Sequence, residues 1–448
     1  MKNNSSRRYF LKRSAKVIVG AIVLPQVIPS TALGMGGKLP PSDRIVMGAI
    51  GVGSKGTGDM NIFLRRTKET QVVAVCDVDT SHSDNAKKMV DRVYKNTDCR
   101  TYVDFREFLE KEKLDAVTIA IPDHWHGLIY SAAANKKLDV YGQKPLCRTV
   151  RDGQAIVKAV KKNNIVWQTG SQQRSDDVFR MAAELAINER IGKIKYVEVS
   201  LYDGGRGPGT PPVMKVPEQL NWDMWLGPAP SVPYRGVAHY NWRWILDYSG
   251  GQLTDWAGHH IDIALWGLGL DRSLPVEVSG NGIYPREGLY NVPVEFDFLC
   301  KYDNGVEMRV ANSSRFRFGR GVKWHGENGW IHVDREGMRA DGRWSNNGIL
   351  KVSDPALLSE KTVDRAIQLY KSNDHYQNFL DCIRSRKETI APVESGFNAI
   401  AAGLLGEIAM TTGKTIRVDA QNGEIIGCPE ASRLLGRPSR YPWSETIQ

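Results

Sequence analysis

The chain has 448 residues, 41% of them hydrophobic, which is enough for two or three domains that each bury a core. Its formal net charge is +10, but residues 1–34 hold six basic side chains and no acidic one, so the remainder carries only +4. A charge of that size gives little support for nucleic-acid binding, which we do not expect. The six cysteines are scattered without a Cys-x-x-Cys pair, so the sequence predicts neither a structural zinc site nor a disulfide framework.

Residues 1–34 are predicted to be a targeting segment. Arg7 and Arg8 precede Phe10-Leu11-Lys12, and an apolar run follows from Val17 to Leu24. That run is much shorter than the roughly 20 residues that cross a bilayer. Paired arginines in this setting resemble the twin-arginine signal, which is read by the twin-arginine translocase. We therefore expect a periplasmic or extracytoplasmic protein that is exported folded, with no stable membrane span in the mature chain. A disordered basic tail is the alternative.

From Arg44 onward, short apolar runs alternate with amphipathic stretches. Helical stretches include residues 85–94 and 153–162. Near-continuous apolar strands separated by such helices indicate a parallel sheet that is covered on both faces. The sequence therefore predicts an α/β fold in which residues 41–169 form a Rossmann domain with a doubly wound parallel sheet. The predicted strands of this domain are residues 45–50, 71–76, 116–121, 138–141 and 165–169.

The first predicted strand leads into the turn Gly51-Val52-Gly53-Ser54-Lys55-Gly56, and a helix-like segment follows. In a dinucleotide-binding unit the three glycines allow a tight turn, a close approach to the pyrophosphate and close packing of helix on strand. The positive end of the helix then faces the phosphates. The sequence therefore predicts that this turn binds a dinucleotide through Gly51, Gly53, Ser54, Lys55 and Gly56.

Asp77 closes the second predicted strand. A carboxylate there accepts hydrogen bonds from a ribose 2′-hydroxyl and repels a 2′-phosphate, which favours NAD over NADP. A helix cap or a turn is the alternative role for Asp77, and Asp79 could share or take over its function.

The pattern changes after residue 169, and residues 170–448 are predicted to form a second, substrate-binding and catalytic domain. A long loop rich in glycine, proline and aromatic residues spans 203–240. Loops of this length tend to be functional. Alternating strands and turn signals predict an open, mainly antiparallel sheet, so that this domain is also α/β. Its predicted strands are 193–201, 276–278, 294–298 and 307–310, and its predicted helices are 376–384 and 396–410.

The most informative stretch of the second domain runs from Gly250 to Trp266. Thr254 is predicted to be the N-cap of a helix. Helical periodicity places Asp255, His259, Asp262 and Trp266 on one face and apolar side chains on the opposite face. Asp255 precedes His259 by one turn and could hydrogen-bond to it, which would fix the tautomer and raise the basicity of a general base. The alternative is a solvated face with a chance Asp/His pair, and His260 is expected to be structural.

Two polar segments follow predicted strands at the rim where open parallel sheets bind ligands. The first is Pro122-Asp123-His124-Trp125-His126, and the second is Gln143-Lys144-Pro145. The two histidines could form half of a metal site, but no matching ligands lie nearby in sequence, so no metal is expected. Lys144, held on rigid backbone before a proline, is a candidate for acid/base chemistry, with a surface lysine as the alternative.

These motifs together resemble the Gfo/Idh/MocA oxidoreductases from about Arg44 to the end of the chain. The resemblance is carried by the glycine turn, by Lys144-Pro145 of the family's Glu-Lys-Pro motif and by Asp255-x-x-x-His259 after a Gly-Gly turn. It implies that Lys144 and His259 flank a substrate carbinol, that His259 takes the hydroxyl proton while hydride leaves for the nicotinamide, and that Asp255 supports this step. Gln143 replaces the family's glutamate, which leaves the role of that carboxylate open.

Two further segments, Gly170–Ser175 and Asn241–Trp244, resemble a subgroup of this family that carries export signals. The first could touch cofactor or substrate. Aromatic and arginine side chains around the second suit stacking on sugar faces, with packing as a small core as the alternative. The remaining predicted cofactor ligands are Pro122, Asp123, His126, Gln143 and Gln172. The predicted substrate ligands are Arg174, Tyr240, Trp242, Arg243, Asp255 and His259.

The leading hypothesis is an oxidoreductase that transfers hydride between a carbohydrate secondary alcohol and a tightly bound NAD. Because free nicotinamide cofactor is not expected outside the cytoplasm, the bound cofactor would have to be regenerated in place. One alternative is an NAD-dependent, redox-assisted glycoside hydrolase. Another is a non-catalytic sugar-binding protein, which is disfavoured because Lys144, Asp255 and His259 are all present. The resemblance also implies a homo-oligomer built through the sheet of the second domain.

Overall fold

A computed structural model describes residues 43–205, 207, 209–338, 344–358 and 367–445. The predicted signal segment, residues 1–34, lies outside these described residues. Two sheets and the helices packed against them make up most of the described chain. No helix in these ranges is both long enough and apolar enough to cross a membrane.

The first sheet has six parallel strands in the order β3-β2-β1-β4-β5-β6. Its near-continuous apolar strands are buried, as a parallel sheet covered on both faces requires. The predicted doubly wound Rossmann sheet is therefore confirmed. Its strands are β1 Ile45–Ile50, β2 Thr70–Cys76, β3 Arg100–Tyr102, β4 Ala116–Ile119, β5 Asp139–Gly142 and β6 Trp167–Thr169.

Local sequence signals explain where the helices of this unit begin. Asp79 caps the second helix by accepting from the Ser81 N–H, and Thr149 caps the fifth by accepting from the Asp152 N–H. In the fifth helix Val150, Ile156 and Val160 form a buried stripe. The helices are α1 Ser54–Leu64, α2 Thr80–Tyr94, α3 Phe105–Lys111, α4 His126–Asn135 and α5 Val150–Asn163.

The second sheet has nine strands in the order β13-β12-β11-β7-β10-β9-β8-β14-β15. β7 and β10 pair in parallel, and the other pairs described for this sheet are antiparallel, so the predicted mainly antiparallel sheet is confirmed. The strands are β7 Ile194–Leu201, β8 Glu277–Ile283, β9 Glu295–Lys301, β10 Glu307–Asn312, β11 Gly321–Gly326, β12 Gly329–Met338, β13 Trp344–Val352, β14 Ile416–Val418 and β15 Ile425–Ile426.

Two long helices, α8 (Gly251–Leu268) and α10 (Val393–Thr412), pack closely because small residues meet between them. A Cβ added at Gly403 of α10 would lie 3.2 Å from the Cβ of Ala257 in α8, and one at Gly406 would lie 2.5 Å from the Phe298 ring of β9. Helix α8 begins at Gly251, not after Thr254, whose hydroxyl instead accepts from the Gly250 N–H at 2.9 Å. The helices are α6 Asp177–Ile187, α7 Trp222–Leu226, α8 Gly251–Leu268, α9 His375–Ser385, α10 Val393–Thr412 and α11 Pro429–Ser432.

A buried ion pair fastens α8 to the segment that follows β6. The Arg174 guanidinium donates to both carboxylate oxygens of Asp262 at 2.8 Å and to Asp271 at 3.0 Å. The side chains of Arg174 and Asp262 are each 2% exposed. The prediction that Arg174 binds substrate is therefore corrected: its guanidinium is occupied by two carboxylates within the fold.

We predict that Arg174→Met lowers the free energy of unfolding by about 3–5 kcal/mol, because it leaves buried carboxylates without their counter-charge. Urea denaturation of the purified protein measures this loss. The control is Arg272→Met, whose partner Glu388 is exposed, and it should cost at most about 1 kcal/mol. Weakened substrate binding with unchanged stability in Arg174→Met would restore the substrate role.

Candidate functional site

The glycine turn joins β1 to α1 in the geometry that a phosphate cradle requires. Gly51 has φ +75°, and a Cβ there would overlap the carbonyl oxygen of Ala120. A Cβ at Gly56 would overlap the carbonyl oxygen of Gly51, so the helix could not approach the strand with any other residue. The first and third glycines are therefore required by the backbone.

The start of α1 is open to an anion. A Cβ at Gly53 would meet only the ring of His82, at 3.6 Å, so the turn leaves room above its backbone. Gly53 caps the helix without a side-chain hydrogen bond, and no acidic residue lies in the first turn. The first N–H groups of the helix thus remain available to a phosphate, and the residues present fit a dinucleotide.

Asp77 lies directly after β2 and is tied to the glycine turn. Its Oδ2 accepts from the Val52 N–H at 2.8 Å, and its Oδ1 accepts from the Asp79 N–H at 2.9 Å. Each carboxylate oxygen has a second lone pair, so Asp77 can still accept from ribose hydroxyls. Asp79 has the helix-capping role instead.

A cavity of ≈ 490 Å³ extends from the glycine turn to the start of α8. It brings together residues predicted from distant parts of the sequence. The predicted residues that line it are Gly51, Gly53, Ser54, Lys55, Gly56, Asp77, Pro122, Asp123, Gln143, Lys144, Tyr240, Trp242, Arg243 and Asp255. His126, Gln172, Arg174 and His259 are not among the described residues that line it.

His126 is 1% exposed, so its predicted cofactor role is corrected to a supporting one, whereas the role of the half-buried Gln172 stays a prediction. The ring nitrogens of His126 lie 2.6 Å and 3.0 Å from the carbonyl oxygens of Pro145 and Ile121, and a neutral ring can donate to one of them. Burial lowers the pKa of His126 to about 4. Gln172 donates to the hydroxyl of Tyr141 at 3.0 Å.

Lys144 and Asp255 form the central ion pair of the site. Lys144 Nζ donates to Asp255 Oδ1 at 2.8 Å and to the Asp255 carbonyl oxygen at 3.1 Å. Arg243 Nε lies 3.6 Å from the same carboxylate oxygen. Burial by itself would raise the pKa of Asp255, but the charges of Lys144 and Arg243 lower it overall. The site therefore holds an ionised carboxylate between two cations.

His259 follows Asp255 by one turn of α8, but the predicted hydrogen bond between them is wrong, because the Asp255 carboxylate is engaged by Lys144. Nδ1 of His259 is buried and has no hydrogen-bond partner within the described residues. Burial, and then the charges of Arg335 and Lys144, lower the pKa of His259 well below its usual value. The imidazole is thus neutral near pH 7, which a proton acceptor requires. Its 6% exposure also excludes the solvated face considered above.

Asp123 is a buried carboxyl group at the same end of the cavity. Ser249 Oγ donates to its Oδ2 at 2.5 Å, and only 3% of the residue is exposed. Burial raises the pKa of Asp123 to about 7, although Arg243 and Lys144 oppose the shift. Its charge therefore changes close to neutral pH.

Asp59 is a site residue that the sequence did not single out. Its fully buried carboxylate accepts from Lys55 Nζ at 2.7 Å, from Gln143 Nε2 at 2.7 Å and from the Tyr376 hydroxyl at 2.6 Å. It thereby fixes two of the predicted cofactor ligands. The sequence signal that could have identified Asp59 is its four-residue spacing from Lys55 on α1.

The aromatic residues in and directly after the long loop have two roles, and Trp242 takes part in both. Trp225, Tyr234 and Trp242 belong to a buried cluster, as the small-core alternative predicts. Tyr240, in contrast, is 61% exposed. The Arg243 guanidinium lies over the rings of Tyr240 and Trp242, at 4.6 Å and 4.3 Å from their centroids. These three side chains form the part of the cavity wall suited to a polyhydroxylated ring.

Comparisons with known proteins agree with this arrangement. Residues 45–171 match a family described as an oxidoreductase family with an NAD-binding Rossmann fold. Residues 202–308 and 360–445 match the C-terminal alpha/beta domain of an oxidoreductase family. The two matches together cover most of the described chain.

Curated relatives include two inositol dehydrogenases. The myo-inositol 2-dehydrogenase of Thermotoga maritima is 26% identical over 167 residues, which are 37% of this chain and 47% of the relative. The scyllo-inositol 2-dehydrogenase (NAD(+)) of Bacillus subtilis is 23% identical over 70% of this chain and 81% of the relative. The Thermotoga maritima relative and two further inositol dehydrogenases are matched over only about half of their own length.

Among solved structures, the WlbA dehydrogenase of Bordetella pertussis, in complex with NADH and UDP-GlcNAcA, has a similar fold. Its TM-score is 0.58 with 16% sequence identity, and the match covers 84% of this chain and 99% of that one. This likeness supports the fold described above.

We predict that the affinity for NAD⁺ rises several-fold between about pH 6 and pH 8, because Asp123 ionises over this range and a carboxylate favours a cationic ring. Calorimetric titration of the cofactor-stripped protein with NAD⁺ at each pH measures this affinity. Asp123→Asn should flatten the profile, whereas Asp98→Asn, which removes an exposed carboxylate, should leave it unchanged. An unaltered profile in Asp123→Asn would show that another group is responsible.

Proposed function

Because the chain belongs to the Gfo/Idh/MocA oxidoreductase family, we propose that it oxidises or reduces a carbohydrate at a secondary carbinol with NAD. The observation that carries this proposal is the Lys144–Asp255 ion pair at the cavity that begins at the glycine turn. Bound nicotinamide would supply the acceptor for a hydride from the carbinol carbon. The preference for NAD over NADP rests on Asp77, whose charge opposes a 2′-phosphate.

His259 is the proposed general base. As the carbinol carbon loses hydride, its hydroxyl must lose a proton, and the neutral imidazole of His259 accepts it. The Lys144 ammonium, held in place by Asp255, donates a hydrogen bond to the same oxygen and stabilises the negative charge that develops there. Asp255 acts by positioning Lys144. In the reverse direction His259 returns the proton to the oxygen.

A carbohydrate is proposed as the substrate because the cavity wall combines aromatic faces with hydrogen-bond donors. Tyr240 and Trp242 provide the faces, and Arg243 provides a guanidinium that can donate to hydroxyls. The curated relatives named above act on inositols, as their names state, and these are also polyhydroxylated rings.

We also propose that the chain forms a homo-oligomer through the nine-stranded sheet. The support is an open groove on that sheet, which carries charges of both signs in Asp297, Arg309 and Arg315. A second copy presents the same pattern, so a two-fold contact can match opposite charges.

We predict that His259→Ala lowers turnover by at least about 100-fold while cofactor remains bound, because only the proton acceptor is removed. Absorbance at 340 nm with candidate sugars and glycosides measures turnover, and the cofactor content of the purified protein measures retention. His325→Gln, which alters a half-exposed histidine on the second sheet, is the control. Full activity in His259→Ala would contradict the proposed base.

The same assay separates the alternatives. A stoichiometric change at 340 nm without release of an aglycone supports the dehydrogenase. Catalytic release of aglycone without net NADH would support the redox-assisted hydrolase. Sugar binding with no spectral or chemical change would support a non-catalytic protein.

Export by the twin-arginine route remains a proposal based on Arg7 and Arg8. We predict that Arg7→Lys combined with Arg8→Lys retains the protein in the cytoplasm, because the paired guanidinium groups are the recognised feature. Cell fractionation with immunoblotting measures the distribution. Arg13→Lys, outside the pair, should be exported normally, and export of the double variant would contradict the route.

A further inference from the structure

Three metal-ligating side chains converge beside the glycine turn from two separate parts of the chain. Asp79 and His82 lie at the start of α2, and His239 lies in the long loop of the second domain. One potential ligand atom of each lies within 4.8 Å of the other two. All three residues line the cofactor cavity. Spacing in the sequence does not reveal this cluster, because His239 is distant from the other two ligands along the chain.

The carboxylate of Asp79 is held with one oxygen directed at His239. Its Oδ1 accepts from the N–H and the hydroxyl of Ser81, at 2.9 Å and 2.5 Å. Its Oδ2 lies 3.4 Å from Nε2 of His239. Asp79 is only 3% exposed, so solvent competes little for this oxygen.

The separation between Asp79 and His239 matches that of a tetrahedral site. Zinc binds histidine nitrogen at about 2.0–2.1 Å and carboxylate oxygen at about 2.0–2.2 Å, which places two ligand atoms roughly 3.3–3.5 Å apart. The distance from Asp79 to His239 is 3.4 Å. Asp77 Oδ2 lies 3.5 Å from Nδ1 of His82 and can orient that ring from outside the site.

An ion pair alone gives a weaker account of the cluster. The rings of His82 and His239 lie edge to face with centroids 5.2 Å apart, so two protonated imidazoles here would repel each other. The His239 side chain is 57% exposed, and exposed pairs contribute little. A divalent cation satisfies two neutral imidazoles and one carboxylate together.

We propose that Asp79, His82 and His239 bind a divalent transition metal, with zinc the ion that best fits two nitrogens and one oxygen. The ion would join α2 to the long loop. Backbone hydrogen bonds already connect these segments, from Thr80 N–H to the Gln219 carbonyl and from Asn221 N–H to the Val78 carbonyl, both at 2.9 Å. The metal would therefore clamp the loop across the cavity.

The test is a zinc titration of the purified full-length protein, first treated with a chelator, in competition with a chromophoric zinc indicator. We expect one tight site per chain. His239→Ala and His82→Asn should each weaken binding by more than about 100-fold, beyond the loss of an outer-shell partner. His325→Ala, which removes another histidine paired to a carboxylate, should leave the affinity unchanged.

The visible absorption of bound cobalt is a readout that does not depend on the stability of the protein fold. Co²⁺ added in place of zinc should produce the visible absorption of a tetrahedral ion, and His239→Ala should abolish it. His239 is exposed, so this variant should fold. Zinc affinity unchanged in both histidine variants, an equal loss in His325→Ala, or no tight site in the parent protein would each overturn the proposal.

Discussion

The contact between Lys144 and Asp255 is the interaction on which the rest of the site depends. Lys144 extends from the rim of the parallel sheet, and Asp255 lies in the first turns of α8 in the second domain. Their 2.8 Å hydrogen bond places the end of the dinucleotide cavity against the helix that carries His259. Arg243 completes the charge balance of the buried carboxylate. This contact therefore joins the parallel-sheet unit to the second domain at the end of the cavity.

Other buried polar contacts hold the domains in the same arrangement. Asp59 binds Gln143 and the Tyr376 hydroxyl, which links α1 to the rim and to α9. Arg148 donates to both oxygens of Glu407 in α10, at 2.8 Å and 3.2 Å. Such groups are costly to bury unless they are paired, so each contact allows few alternative positions of one domain against the other. Precise placement of catalytic groups depends on this kind of support.

Most of the fold could be predicted because its signals are local. The glycine turn after β1 and Asp77 after β2 lie where their sequence context places them, and five of the six strands of the first sheet follow from apolar runs. The exception is β3, which is short, polar and largely exposed. Roles that depend on a partner elsewhere in the chain were less predictable. Arg174 has the charge of a substrate ligand, but it pairs with Asp262, and the periodicity of α8 gave no indication of that choice.

The sequence by itself determined most strands of the parallel sheet, the glycine cradle and the identity of the groups available for proton transfer, because these follow from backbone conformation and local periodicity. Only the tertiary structure decided which of those groups meet. It directed Asp255 to Lys144 and, within the described part of the chain, left His259 without a carboxylate partner. It also brought His239 beside Asp79. The physical reason is that charge pairing and desolvation depend on residues that are close in space, and chain separation does not encode that distance.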